Sequence, residues 1–344
     1  MADRANPIVA ARVQTSWATL LPRLRRWRRY WLDDPLFGAF YFAMHYGGRL
    51  LPTDWCSGLG GFLGAVNWRF RYRSFRDRAG RLYLRFSGGQ ATAAEVDRAT
   101  QRLFVHLGRV ALEFSILDRL WPAGRITPVG GEHLIAAHEA GKPIIVMGVH
   151  VGNWEAIAPT MIALLPGVKG AGFYQPRRSR FEHWLVVAAR RRYGGTMFRP
   201  GIAGARLARR LLDERGVLLV YADEERRGYV VAPLFGRPVP AHANLLDIVR
   251  LAWASGAAVI PAYVERLDGA RFRTTFLPPV ELVPRGKQSN VALLENVHRL
   301  DRVITPIVLA NLEHWYMLVE PWAAAPPGGF YRSSQPAVAA ESHG

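Results

Sequence analysis

Two side chains in this sequence, His150 and Glu155, have types and spacing suited to proton chemistry. A neutral imidazole takes up a proton near neutral pH, and a carboxylate beside it fixes the tautomer and steadies the imidazolium. Residues five apart do not share one face of a helix. They meet if His150 closes a strand and Glu155 lies in the first helical turn after a tight bend. Gly152 supplies the bend and Asn153 is placed to cap the turn. Glu155 near a helix N-terminus stays ionised and holds one ring nitrogen of His150, leaving the other to take a proton from a hydroxyl. No side-chain nucleophile belongs to this arrangement, so the attacking group comes from a substrate. Pro159 predicts that the following helix starts late or kinks.

The elements that must position this pair are legible around it. From Gly131 to Glu155 the sequence reads GEHLIAAHEAGKPIIVMGVHVGNWE. Leu134, Ile135 and Ala137 give one apolar helical face, which Gly141 ends. After Lys142-Pro143 the run Ile144 to Val149 is apolar on both faces, as in a strand buried within a parallel sheet. Open α/β sheets bind ligands at the carboxyl ends of such strands, where His150 falls.

This segment, and HVGNWE above all, resembles the active-site stretch of the bacterial lipid A biosynthesis acyltransferases. They belong to a superfamily that includes phosphatidylinositol mannoside acyltransferases and glycerolipid acyltransferases with His-x4-Asp. The resemblance extends from about Leu36 to Trp322. It implies transfer of a fatty acyl group from an acyl carrier protein or coenzyme A thioester to a lipid hydroxyl, with His150 as base and Glu155 as its carboxylate. It further implies a lipid A precursor as acceptor and attachment to the cytoplasmic face of the inner membrane. Another glycolipid or a lysophospholipid is the alternative acceptor. A non-enzymatic basic protein that binds anionic membrane or nucleic acid is the alternative of another class. The intact HVGNWE and the absence of a nucleic-acid-binding module oppose that last reading.

The 344 residues carry 45 lysines and arginines against 27 acids, a formal net charge of +18. Lys142, Lys169 and Lys287 are the lysines; the remaining positive charge is arginine. Such an excess suits an anionic partner, whether phospholipid surface, phosphorylated substrate or acidic carrier. The single cysteine, Cys56, excludes an internal disulfide framework and a multi-cysteine zinc site.

Taken in order, Met1 to Tyr30 interleaves Arg23, Arg25, Arg26, Arg28 and Arg29 with Leu24, Trp27 and Tyr30, a pattern suited to an anionic membrane surface. Pro35 to Leu51 and Trp55 to Trp68 are apolar, and the first, at about 25 Å as a helix, is short for a membrane crossing. Arginine flanks both ends of the pair, which argues against a single crossing and for an anchor held in the membrane plane. Residues from Asn67 to Trp121 read as helical. Strands are expected at Val168 to Tyr174, Val217 to Ala222, Ala257 to Val264, Arg271 to Leu282 and His314 to Val319. Helices are expected at Phe181 to Tyr193, Ile202 to Arg215, Leu245 to Ser255 and Asn290 to Ile304. This alternation predicts an α/β fold, a mainly parallel sheet flanked by helices with the last strands open to antiparallel pairing, preceded by a helical membrane-anchoring region. The divisions expected are 1–78, leader and membrane-associated region; 79–322, acyltransferase domain; and 323–344, a disordered tail.

Further site residues are expected at other strand ends. Arg177 and Arg178 suit an acceptor phosphate, standing near Gln175, where related acyltransferases carry arginine. Asp223, in a segment that continues to Pro233-Leu234-Phe235-Gly236, is expected to bind a sugar hydroxyl, position an arginine or cap a turn. Backbone amides near Gly152 or a nearby arginine are the candidate oxyanion donors. The sequence holds no GxxxxGK[ST] loop, no GxSxG elbow and no HExxH, so neither a metal nor a nucleotide cofactor is expected.

Overall fold

The computed structural model describes residues 21–177 and 179–322. Arg178, the expected tail and most of the basic leader lie outside the described residues. The strands are β1 (Ile126–Val129), β2 (Ile144–Gly148), β3 (Gly170–Phe173), β4 (Thr196–Phe198), β5 (Val217–Tyr221), β6 (Ala258–Arg266) and β7 (Phe272–Phe276). They form one sheet in the order β1-β7-β6-β2-β5-β3-β4. Every pairing is parallel except β6 with β7. The sheet is therefore mainly parallel, with an antiparallel step towards one edge.

The central strands bury both faces. Ile145 and Met147 of β2, with Leu218 and Val220 of β5, face one core. Ile144, Val146, Val217 and Leu219 alternate with them and face the other. The first core is closed by three helices, α9 (Ile202–Asp213), α10 (Asn244–Ser255) and α11 (Ser289–Ala310). The second is closed by α6 (Gly131–Glu139) and α7 (Ile157–Leu164). As Pro159 required, α7 begins late, after a 3-10 turn at Trp154–Ala156.

One expectation is corrected, and two strands were not foreseen, the edge strand β1 and the short β4. Residues 314–319 form no strand; two 3-10 turns, Leu312–His314 and Tyr316–Val319, replace it. The segment crosses the strand ends, touching the sheet region through a single bridge from Trp315 to Val151, and Trp315 is fully buried beneath it.

The helices that precede the sheet are α1 (Asp34–Leu50), α2 (Thr53–Phe70), α3 (Arg73–Phe86), α4 (Ala93–Glu113) and the short α5 (Leu117–Leu120). Helix α2 meets α4 backbone to backbone. A Cβ on Gly64 would stand 2.1 Å from the Phe104 carbonyl oxygen, and one on Gly108 2.2 Å from that of Gly60. Residues on both sides of the expected division at 78/79 share this packing: Arg49 pairs with Asp118 at 2.7 Å and Arg125 with Asp54 at 2.7 Å.

The same helices turn large apolar side chains outward. Leu36, Phe40 and Leu50 on α1 and Trp55, Phe62 and Phe70 on α2 are exposed, while Gly38, Gly48, Gly60, Gly61 and Gly64 are buried. This inverts the usual arrangement of a surface helix. Among the described residues, no helix is long and apolar enough to cross a membrane.

Candidate active site

His150 lies just beyond β2 and Asp223 just beyond β5. These strands are parallel neighbours in which Ile144 pairs with Val217 and Gly148 with Tyr221. Each polar residue comes two positions after the last of those pairs, so the register itself brings them side by side. The Nδ1 of His150 is 2.8 Å from Asp223 Oδ1, and the His150 backbone N–H donates to Asp223 Oδ2 at 2.9 Å. The Trp315 indole N–H donates to the same Oδ2 at 2.8 Å. Asp223 has no exposed surface, and its carboxylate is ringed by donors rather than open to a ligand. With Nδ1–H directed at this carboxylate, Nε2 holds the free lone pair.

The ring is enclosed on its flat sides as well. Tyr221 stacks against it with centroids 4.2 Å apart, and Trp154 meets it edge-on at 5.2 Å. The Tyr316 backbone N–H donates to the His150 carbonyl at 3.0 Å, binding the crossing segment to the catalytic turn. Burial by itself would disfavour the charged imidazole. The Asp223 carboxylate, through charge and hydrogen bond, overcomes it with help from Glu224 and Glu155, so the His150 pKa is raised above 6.5. The imidazolium is the species this site stabilises, as a general base requires after it has taken its proton.

Glu155 is placed differently from expectation. Its Oε1 accepts from Arg190 Nη2 at 2.6 Å and its Oε2 from Arg190 Nε at 3.2 Å, a two-bond pairing with α8 (Arg180–Arg192). Its influence on His150 is through space, and Asp223 is the carboxylate that orients the ring. The bend before it forms as foreseen: Gly152 has φ +59, and a Cβ there would stand 2.0 Å from the Val264 carbonyl oxygen. The Gly152 N–H, a candidate oxyanion donor, is given instead to the His314 carbonyl at 3.0 Å.

Asn153 does not cap the turn with its side chain. Its Nδ2 reaches back 2.9 Å to Glu113, a fully buried carboxylate that also takes both terminal nitrogens of Arg266 and the Ser57 hydroxyl. The catalytic turn is thus tied to α2, α4 and the end of β6 by one buried polar network.

Of the expected phosphate ligands, Arg177 stands at the end of β3, half exposed, with Nε 3.5 Å from Glu182 Oε1. It is within electrostatic reach of Tyr316 and Glu155. Asp223, expected at the substrate or as a turn cap, is consumed by His150 and Trp315. Sequence reasoning missed Trp315, Arg190 and Glu224. A signal existed for the main pairing: His150 and Asp223 each stand six residues after the first residue of an apolar five-residue strand. Among the described residues no group of three or more His, Cys, Asp or Glu side chains is arranged to hold a metal ion.

An imidazole at a strand end, its inner nitrogen held by a buried carboxylate, is an arrangement chemically able to take a proton from a hydroxyl. The family comparison gives the chemistry: the model of the bacterial lipid A biosynthesis acyltransferases matches residues 23–323. The chain belongs to that family and is an acyltransferase acting on a lipid. No curated protein matches it.

Proposed function

We propose that this enzyme transfers a fatty acyl group from an acyl carrier protein or coenzyme A thioester to a hydroxyl of a lipid A precursor. The observation that carries the mechanism is the His150–Asp223 contact, which leaves Nε2 as the basic atom. The acceptor hydroxyl gives its proton to Nε2 while its oxygen attacks the thioester carbonyl. Asp223 and the nearby carboxylates stabilise the imidazolium. The tetrahedral intermediate then collapses, the carbon–sulfur bond breaks, and the departing sulfur takes the proton back from Nε2. An ester and a free thiol result, with no acyl-enzyme and no cofactor. Arg177 is assigned to a phosphate of the acceptor, and Arg177→Ala is expected to raise the acceptor KM with little change in the thioester KM.

The same reading places the enzyme on the cytoplasmic face of the inner membrane, where acyl thioesters are made. The outward aromatics of α1 and α2 would lie in one leaflet, with arginines at both ends of the pair meeting anionic headgroups. Removing residues 1–68 would strip α4 of the helix it meets at Gly64 and Gly108, so point changes probe the anchor more cleanly. Trp55→Glu with Phe62→Glu is expected to move the protein into the soluble fraction while its circular dichroism stays unchanged.

The deciding experiment supplies a labelled acyl thioester to the purified protein together with a panel of lipid acceptors. Transfer to the lipid A precursor, lost in His150→Ala, is the expected result. Transfer to a lysophospholipid alone would reassign the acceptor.

A further inference from the structure

Resting on the acyl-transfer reading, a second carboxylate near His150 has a role of its own. Glu224 Oε2 stands 3.5 Å from His150 Nε2, the nitrogen that must receive the acceptor's proton. The Glu224 backbone is fixed, because Asn244 Nδ2 donates to its carbonyl at 2.9 Å and to the Tyr221 carbonyl at 3.2 Å. Its side chain is 44% exposed, and among the described residues it has no other hydrogen-bond or ion-pair partner. Asp223 and Glu224 are consecutive, yet one is sealed behind the ring and the other is open to solvent.

Against an imidazolium this contact is attractive. Against the neutral base it is not, because a carboxylate oxygen then faces a lone pair with no proton between them. The hydroxyl that reacts carries one proton, and that proton goes to Nε2. It therefore leaves Glu224 an acceptor without a protein donor, beside the nitrogen that takes the proton. Water can satisfy this part-exposed carboxylate in the free enzyme, so a ligand that displaces the water must supply the donor itself.

We propose that Glu224 is a specificity-determining residue: it accepts a hydrogen bond from a second donor on the acceptor lipid, close beside the hydroxyl that His150 deprotonates. Parallel hydrogen bonds from Nε2 and Oε2 lead to donors about 3.5 Å apart. That is the spacing of polar atoms on adjacent or next-but-one carbons. The site thus selects lipids whose reactive hydroxyl has a polar neighbour over lipids whose hydroxyl stands alone.

The charged groups facing His150 are Asp223 and Glu224 from the end of β5 and Glu155 from the following turn of β2; Tyr221 and Tyr316 hold their protons well above neutral pH. Removing the Glu224 charge must therefore favour the neutral imidazole. The test uses full-length enzyme and the Glu224→Gln and Glu224→Ala variants, with the lipid A precursor as acceptor. Both variants are expected to raise the acceptor KM about tenfold, as for loss of one charge-assisted hydrogen bond, and to leave the thioester KM unchanged. The acidic limb of kcat/KM should move to lower pH in both.

A vicinal long-chain diol and the corresponding mono-alcohol, each in mixed micelles, serve as competitors. The diol should inhibit the native enzyme about tenfold better, and the two should inhibit Glu224→Ala equally. Equal inhibition of the native enzyme, an unchanged acceptor KM in the variants or an unmoved acidic limb would each overturn the proposal while the acyl-transfer reading stands. A native enzyme that acylates no lipid would remove both.

Discussion

The two flanks of His150 each hold a carboxylate, and the two are used in opposite ways. On the β5 side Asp223 has no exposed surface and, among the described residues, takes donors from the ring, the His150 backbone and Trp315. On the α8 side Glu155 pairs through two bonds with Arg190, whose charge burial opposes and Glu155 restores. A carboxylate whose donors are neutral keeps its negative charge available to an imidazolium. One paired with a guanidinium has most of its field cancelled nearby. Distance in sequence favours Glu155, but the uncancelled charge beside the ring is that of Asp223.

Substitutions can break this contrast, and the largest effect falls on the shared member. His150→Ala is expected to lower kcat about a thousandfold with the fold intact, measured by single-turnover acyl transfer. Asp223→Asn should lower kcat about a hundredfold, since the imidazolium loses its principal partner. It also carries a pH signature. The base must be neutral to act, so kcat/KM in the native enzyme falls as pH drops through a His150 pKa above 6.5. Removing the Asp223 charge moves that limb to lower pH, and a limb that stays in place would refute the assignment.

Glu155→Gln sharpens the comparison from the other side. It should cost about 3 kcal/mol of stability in urea denaturation, because the largely buried Arg190 loses its counter-charge. Its effect on kcat should be near tenfold, well below that of Asp223→Asn. Equal kinetic losses in the two variants would show that the carboxylates act as one unit. Trp315→Phe, which removes one donor to Asp223 and keeps the buried ring, is expected to reduce kcat about threefold.

The strand beneath His150 was legible because Ile144 to Val149 has no polar face, a pattern only a doubly covered strand tolerates. The bend was legible too, since Gly152 is required where the chain turns against Val264. What could not be read was register. Asp223 reaches His150 because Gly148 and Tyr221 lie opposite one another, and nothing within either strand states which strand is its neighbour. Trp315 was hidden for a related reason. Residues 314–319 have strand-like composition, but their partners are the buried turn after β2 at His150 to Gly152, so tertiary demand overrode local preference. In α1 and α2 the apolar stretches were visible, whereas the inward turn of the glycines depends on partners elsewhere in the chain, Phe181 for Gly38 and α4 for Gly60 and Gly64.

The donation from Trp315 to Asp223 spans 92 residues of sequence, and this sets an order of events during synthesis. A ribosome adding about 5–20 residues per second needs roughly 5–20 s to pass from one to the other. Over that interval β2 and β5 are already available to pair, but the segment that clamps the catalytic turn has not emerged. A nascent chain can therefore hold β2 and β5 paired while the contact from Trp315 to Asp223 is still missing. Acyl transfer becomes possible only after residue 316 has been bound to the His150 carbonyl, which delays catalysis until the rest of the body is in place.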